Sequence, residues 1–163
     1  MRACEQPRFR VGYGVVQKHI LLVSIPMNIL LSCVGKRGYI ASYFREKLTS
    51  ESRITGTSNT RWTAGFADCD AGVLLPSIDE VGYVETLLHY CEEHRIALLL
   101  SLFDPDVHIL SAHREAFEAI GVLPLIPDAD AARVAFDKLA TYRFLSSLGL
   151  ATPGTWDDLQ EVL

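Results

Sequence analysis

Residues 27–48 read MNILLSCVGKRGYIASYFREKL, and this stretch decides the fold. It begins with a short apolar run of the kind that forms a buried strand. Gly35 and Gly38 then bracket a basic turn, where glycine allows a sharp bend and a close approach to a ligand. Apolar side chains follow at helical intervals, which predicts one buried helix face: Tyr39, Ile40, Tyr43, Phe44 and Leu48. Strand, glycine turn and helix in this order open a doubly wound α/β fold, which binds ligands at the carboxyl ends of its strands.

Further strand-like runs alternate with helical runs downstream of this stretch. The predicted strands are 53–57, 71–75, 97–102 and 122–126. The nearly continuous apolar run at 97–102 is typical of a central strand covered on both faces, and Pro124 favours an edge position for the last strand. Residues 60–70 lack a clean period and predict a loop or one short helical turn. Alternating strands and helices of this length predict parallel pairing, hence an α/β, three-layer, mostly parallel sheet of about five strands.

Capping residues place the helix starts. Ser77 and Glu80 match a capping box, with Asp79 as an alternative cap, and predict a helix ending near His94. Asp104 as cap and Pro105 in the first turn predict one helix reaching Gly121. Two shorter helices are predicted after it, the first capped by Asp128 or Asp130 and the second running from Asp137 to Gly149. An extended segment follows at 151–156.

Composition excludes several classes of protein. The chain has 163 residues, 49% of them apolar and 21% charged, as in a single globular domain. A formal net charge of −5 without long charge runs argues against a nucleic-acid partner. The four cysteines, Cys4, Cys33, Cys69 and Cys91, contain no CxxC pair, which favours reduced thiols in a cytoplasmic protein and gives no support to a metal site.

Residues 1–26 differ from the rest of the chain. Basic residues precede an apolar stretch that begins at Ile20, and residues 30–33 superficially match a lipoprotein cleavage site. Pro26 and Asn28 interrupt the apolar stretch, which is too short to span a membrane. Cleavage before Cys33 would also remove the first strand. We therefore expect residues 1–26 to be an N-terminal extension that adds little to the core.

The candidate binding residues follow predicted strands. Gly35, Lys36, Arg37 and Gly38 combine backbone N–H groups with positive charge at a helix start, which suits a carboxylate or phosphate. A solvated basic turn is the alternative, and no GxGxxG dinucleotide fingerprint is present. Asn59 and Asp104 follow two other strands near the same predicted crevice. Ordinary turn chemistry would also explain Asn59, and helix capping would explain Asp104.

Other reactive residue types form no recognisable site. His89 and His94, like His108 and His113, stand five apart, so neither pair shares a helix face as metal ligands at i,i+4 would. Cys33 ends the first strand beside the basic turn, where positive charge could lower its pKa, although a buried, inert thiol is the alternative. No GxSxG elbow surrounds Ser32 or Ser101. We predict no catalytic residue in this chain.

Taken in order, the motifs resemble the N-terminal (pre-ATP-grasp) domain of carbamoyl-phosphate-synthase-like ATP-grasp ligases. The resemblance runs from Met27 to Trp156, through MNILLSCVGKRGYIASYF, ITGTSN, GVLLPSIDE and LLLSLFDPDVHILSAHREAFEAIGV to DKLATYRFLSSLGLATPGTW. It implies a Rossmann-like domain at 27–150, followed at 151–163 by a linker and the start of the ATP-grasp lobes. In that family the basic turn faces the acceptor substrate.

The resemblance also implies an activity for a longer protein. Such ligases use ATP and magnesium to convert a carboxylate into an acyl phosphate, which an amine or another nucleophile attacks. The lysines and acidic residues that hold MgATP follow the linker in that family, so we expect this chain to be inactive alone and to need no cofactor itself. Expected partners are a small carboxylate, the ATP-grasp lobes and a second copy of the chain. A stand-alone α/β small-ligand-binding or regulatory module is the alternative.

Overall fold

The computed structural model describes residues 26–158. The predicted N-terminal extension lies outside the described residues except for Pro26. The described chain forms one five-stranded parallel sheet with the order β3-β2-β1-β4-β5. The strands are β1 (Asn28–Ser32), β2 (Ile54–Ser58), β3 (Ala71–Leu74), β4 (Ile96–Ser101) and β5 (Leu123–Pro124). The predicted fold class is confirmed, and the first strand lies in the middle of the sheet.

Within residues 26–158, six α-helices and one 3₁₀ helix accompany the sheet. The helices are α1 (Ile40–Arg45), α2 (Tyr83–Glu93), α3 (Asp104–Ala112), α4 (Arg114–Ala119), α5 (Ala129–Phe136) and α6 (Lys138–Ser147). The 3₁₀ helix, Ala64–Asp68, supplies the short helical turn predicted between β2 and β3. In the described part of the chain, no helix is long and apolar enough to cross a membrane.

Alternate side chains of β1 enter two separate cores. Leu30 belongs to the core under α2, α3 and α4, with Leu87, Leu110 and Phe117 fully buried in it. Ile29 and Leu31 belong to the core on the α1 side. This alternation follows from the two-residue repeat of a strand and requires apolar residues on both faces. It explains why β1 and β4 are the most continuously apolar segments.

The predicted apolar face of α1 is wrong in part. Ala41 is buried and Phe44 and Leu48 pack against the core, whereas the Tyr39 and Tyr43 side chains are 53% and 64% exposed. The helix is also shorter than predicted, at six residues. The small Ala41 side chain faces the sheet, so the two tyrosines lie outward and contact each other edge to face.

The helix predicted to start at Ser77 starts instead at Tyr83. The Ser77 N–H does donate to Glu80 Oε1 at 2.9 Å, but this contact closes a separate turn. Gly82 has a left-handed backbone, with φ at 88°, and therefore breaks the chain direction before α2 begins. The end of this helix near His94 is confirmed.

The single helix predicted from Asp104 to Gly121 is two helices. The backbone leaves helical geometry at His113, which separates α3 from α4 and lets Leu110 and Phe117 both reach the same core. Phe103 is the N-cap of α3 and makes no side-chain capping bond, so the predicted capping role of Asp104 is wrong. Asp128 and Asp137 do cap α5 and α6 through their side chains. The domain boundary at residue 150 stays a prediction.

Arg95 carries backbone strain that glycine would relieve. Its φ is 52°, directly after the last turn of α2, and its side chain is exposed. We predict that Arg95→Gly raises the free energy of unfolding by about 0.5–1 kcal/mol, because L-residues in this conformation are strained. Urea denaturation followed by circular dichroism would measure the change. As a matched control, Gly121→Ala at φ 81° should lower stability; a destabilised Arg95→Gly protein would contradict the strain assignment.

Candidate functional site

A cleft of about 520 Å³ lies at the carboxyl ends of the strands. Its walls come from the turn after β1, the exit of β2, the segment 75–79 after β3, and the starts of α2 and α3. The sheet order reverses between β1 and β4, which is where doubly wound folds bind ligands. The cleft therefore occupies the position predicted for the site.

The structure brings four of the six predicted site residues into the cleft. Gly35, Lys36, Arg37 and Asn59 line it. Gly38 and Asp104 do not, although Phe103 and Pro105 on either side of Asp104 do.

The two glycines of the basic turn serve different purposes. Gly35 has φ at 52°, and its carbonyl accepts from the Gly65 N–H at 2.8 Å. A Cβ on Gly38 would lie 2.6 Å from Gly65 Cα, so Gly38 is required for packing against the 3₁₀ helix. Gly38 thus lets the turn pack against the 3₁₀ helix and is not part of the cleft surface.

The two cations of the turn also differ. The Arg37 guanidinium donates to the backbone carbonyl of Leu102, which ties the β1 turn to the exit of β4. Lys36 is exposed and makes no hydrogen bond or ion pair with any residue in 26–158. Lys36 is therefore the cation that an incoming anion can pair with, while Arg37 holds the shape of the turn.

Asp106, which the sequence analysis passed over, is the buried acid at this end of the sheet. Its carboxylate is fully buried and accepts from Tyr83 Oη at 2.8 Å and from Ser101 Oγ at 2.7 Å. A hydrogen bond of 3.0 Å also joins Tyr83 Oη and Ser32 Oγ. Asp104, by contrast, is exposed on the first turn of α3. The Asp-Pro-Asp motif was a signal for an acid here, but it did not indicate which acid faces inward.

This network sets the chemistry of the cleft floor. Burial and the nearby Asp106 carboxylate raise the pKa of the Cys33 thiol to about 12. The same two causes hold the pKa of the Tyr83 phenol far above its usual range. Both groups line the cleft and stay protonated at neutral pH. The possibility that positive charge lowers the Cys33 pKa is wrong, because desolvation dominates.

The fold and the cleft define a Rossmann-like α/β domain with a crevice at its topological switch point. A family model described as "PylC-like, N-terminal domain" matches residues 29–126. The chain belongs to this family, and the predicted resemblance to a pre-ATP-grasp domain is confirmed. No curated protein matches the sequence.

Solved structures share the fold at low sequence identity. The biotin carboxylase domain of a single-chain bacterial carboxylase matches with a TM-score of 0.58 and 17% identity, over 83% of this chain and 32% of that one. The biotin carboxylase domain of the Hydrogenobacter thermophilus 2-oxoglutarate carboxylase matches with a TM-score of 0.58 and 12% identity, over 83% of this chain and 31% of that one. A single-chain, multi-domain long-chain acyl-CoA carboxylase matches with a TM-score of 0.58 and 16% identity, over 80% and 14%. The chain thus spans about a third of the first of these structures.

Removing the buried acid should weaken the whole site. We predict that Asp106→Ala lowers the free energy of unfolding by about 2–3 kcal/mol, because two buried hydroxyls lose their acceptor. Asp104→Ala, two residues away, should cost less than about 1 kcal/mol, since only an exposed charge at a helix start is lost. Urea denaturation of both proteins tests this. Equal stability of the two variants would show that the network contributes nothing.

The thiol of Cys33 should react slowly. At pH 8 a pKa of about 12 leaves little thiolate, and the higher intrinsic nucleophilicity of that thiolate offsets only part of the loss. We expect alkylation by iodoacetamide about a hundredfold slower than for an ordinary thiol. The rate should rise about tenfold per pH unit from 7 to 9, as measured by peptide mass spectrometry. The urea-unfolded chain provides the control, and a rate that levels off below pH 9 in the folded protein would contradict the raised pKa.

Proposed function

We propose that this chain is the substrate-side N-terminal domain of an ATP-dependent ligase of the ATP-grasp type, similar to the large subunit of carbamoyl phosphate synthase. Its role is to bind a small carboxylate in the cleft. The observation that carries the proposal is the position of Lys36 on a glycine turn at the switch point of the sheet, where no residue in 26–158 pairs with its charge. Membership of the PylC-like N-terminal domain family supports it.

The cleft offers a carboxylate complementary groups on two sides. The β1 turn contributes the Lys36 ammonium and backbone N–H groups, which favour negative charge. The exit of β2 contributes the Ser58 hydroxyl and the Asn59 amide as hydrogen-bonding partners. Leu75 and Phe103 add apolar surface for the body of the ligand. A small molecule with an anionic group and a short apolar part therefore fits this cleft best.

Phosphoryl transfer is assigned to a longer protein. Within residues 26–158, no three His, Cys, Asp or Glu side chains lie together as a metal site would require. We propose that ATP-grasp lobes elsewhere in the full-length protein hold ATP and magnesium, and that this domain alone does not turn over.

The proposed partners follow from the exposed surface. No residue of α6 is buried, and Phe144 and Leu148, one turn apart, are each at least half exposed. We propose that this face lies against the ATP-grasp lobes or a second copy of the chain. The described cysteines, Cys33, Cys69 and Cys91, are free thiols, which supports a cytoplasmic location.

A stand-alone ligand-binding module remains the second candidate. Every wall of the cleft comes from residues 33–105, so binding itself needs no further domain. The two proposals differ in the coding sequence downstream of Leu163. A lysine-bearing ATP-grasp lobe encoded there favours the ligase, and its absence favours the module.

Binding of small carboxylates should depend on Lys36. We predict that Lys36→Gln weakens the binding of a stabilising amino or dicarboxylic acid about tenfold or more, because one charge-assisted hydrogen bond is lost. A thermal-shift screen would identify the acid and calorimetry would give its affinity. Lys47→Gln, an exposed lysine outside the cleft, is the matched control.

Magnesium-ATP provides the second arm of this experiment. It should not stabilise the chain, because its site is assigned to other lobes. Strong stabilisation by MgATP, or carboxylate binding that is insensitive to Lys36→Gln, would overturn the proposed function.

A further inference from the structure

The cleft at the carboxyl ends of the strands carries charges of both signs. Lys36 lies on the turn after β1, and Asp79 lies on the segment that follows β3. Among the residues in 26–158 that line the cleft, Asp79 is the only acid. A site for a ligand with negative charge alone gains nothing from a carboxylate in its wall, because like charges repel. The acid therefore bears on which kind of carboxylate can bind.

The Asp79 carboxylate is not used by the described fold. Its side chain is exposed and makes no hydrogen bond or ion pair with any residue in 26–158. Lys36 and Asp79 form no ion pair with each other, although both line the same cleft. Two opposite charges that face one cleft without meeting are both open to a ligand that lies between them.

The backbone that carries Asp79 is held in place by its neighbours. The Leu75 N–H donates to the Ser58 carbonyl at 3.0 Å, which continues the pairing of β2 with β3. The Glu80 N–H donates to the Ser77 carbonyl at 2.9 Å, and the Ser77 N–H donates to Glu80 Oε1 at 2.9 Å. Asp79 lies inside this closed four-residue turn. Its position in the cleft wall is therefore fixed by bonds in which its own carboxylate takes no part.

The two charged walls stand on opposite sides of β2. The sheet order places β2 between β3 and β1. Neighbouring strands lie about 4.8 Å apart, so the ends of β1 and β3 are separated by roughly 10 Å. The space between them is lined by the polar Asn59 side chain and the apolar Leu75 side chain. A ligand that reaches both charges therefore carries its two ionic groups several bonds apart, on a short apolar chain.

We propose that Asp79 is a specificity-determining residue of the cleft, and that its carboxylate accepts hydrogen bonds from an ammonium group of the ligand. This inference rests on the proposed function, in which Lys36 pairs with the ligand carboxylate, and it names the ligand class as an amino acid with a distal ammonium group. Such a ligand makes charge-assisted hydrogen bonds at both ends. A dicarboxylate would be repelled by Asp79, and a monocarboxylate would leave it unpaired.

The test uses the full chain and three five-carbon probes that differ only at the end away from the carboxylate: 5-aminopentanoate, glutarate and pentanoate. Calorimetry at constant pH and ionic strength would give the affinity of each probe for the unsubstituted protein. We expect 5-aminopentanoate to bind about tenfold more tightly than either of the other two. Asp79→Asn should abolish that preference by weakening the binding of 5-aminopentanoate about tenfold, while the affinity for pentanoate stays unchanged.

Two further variants separate the roles of the charges. Lys36→Gln should weaken the binding of all three probes, because each of them carries a carboxylate. Glu51→Gln, which removes an exposed carboxylate outside the cleft, is the matched control and should change no affinity. Asp79→Asn preserves the shape of the side chain and removes no contact within 26–158, so it should melt at the same temperature as the unsubstituted chain. Lost binding in that variant then does not reflect unfolding.

Other outcomes overturn the role of Asp79. Binding of none of the probes, equal affinities for all three, or tighter binding of glutarate would show that the cleft does not select an ammonium group. A preference for 5-aminopentanoate that survives Asp79→Asn would place the ammonium group elsewhere. In each of these cases the proposed function is still judged by the Lys36→Gln experiment on the acids found by screening. Binding that is insensitive to Lys36→Gln would overturn the proposed function as well.

Discussion

The buried carboxylate of Asp106 joins the elements that form the cleft. It accepts hydrogen bonds from Tyr83 on α2 and Ser101 on β4. Tyr83 is also hydrogen-bonded to Ser32 at the end of β1. A buried charge is tolerated only when its oxygens are bonded, so these partners must all stay in register. The network thereby fixes where two helices start relative to two central strands. The cleft opens directly above that junction.

The basic turn depends on support from outside the cleft. Gly38 fits against Gly65 because neither carries a Cβ, and the Gly65 N–H bonds to the Gly35 carbonyl. The Arg37 guanidinium donates a hydrogen bond to the Leu102 carbonyl. Lys36, the other cation of the turn, lines the cleft and makes no hydrogen bond or ion pair with any residue in 26–158.

The fold persists where sequence identity to solved structures is only 12–17%. In this chain the alternation of β1 between two cores needs apolar character but no particular side chains. Such a likeness identifies the framework alone.

The sequence by itself determined where the strands lie and which of them are central or at the edge of the sheet. The local sequence pattern was sufficient to predict these features, because each depends on only a few neighbouring residues. They are the apolar runs of β1 and β4, Pro124 at the edge of the sheet, and the caps Asp128 and Asp137. Only the tertiary structure decided which of the two aspartates in Asp-Pro-Asp is buried. It also decided that α2 begins directly after Gly82. Both depend on how each helix is rotated and placed against the sheet. Contacts between residues distant in sequence set that placement, so a local repeat of three or four residues cannot predict it.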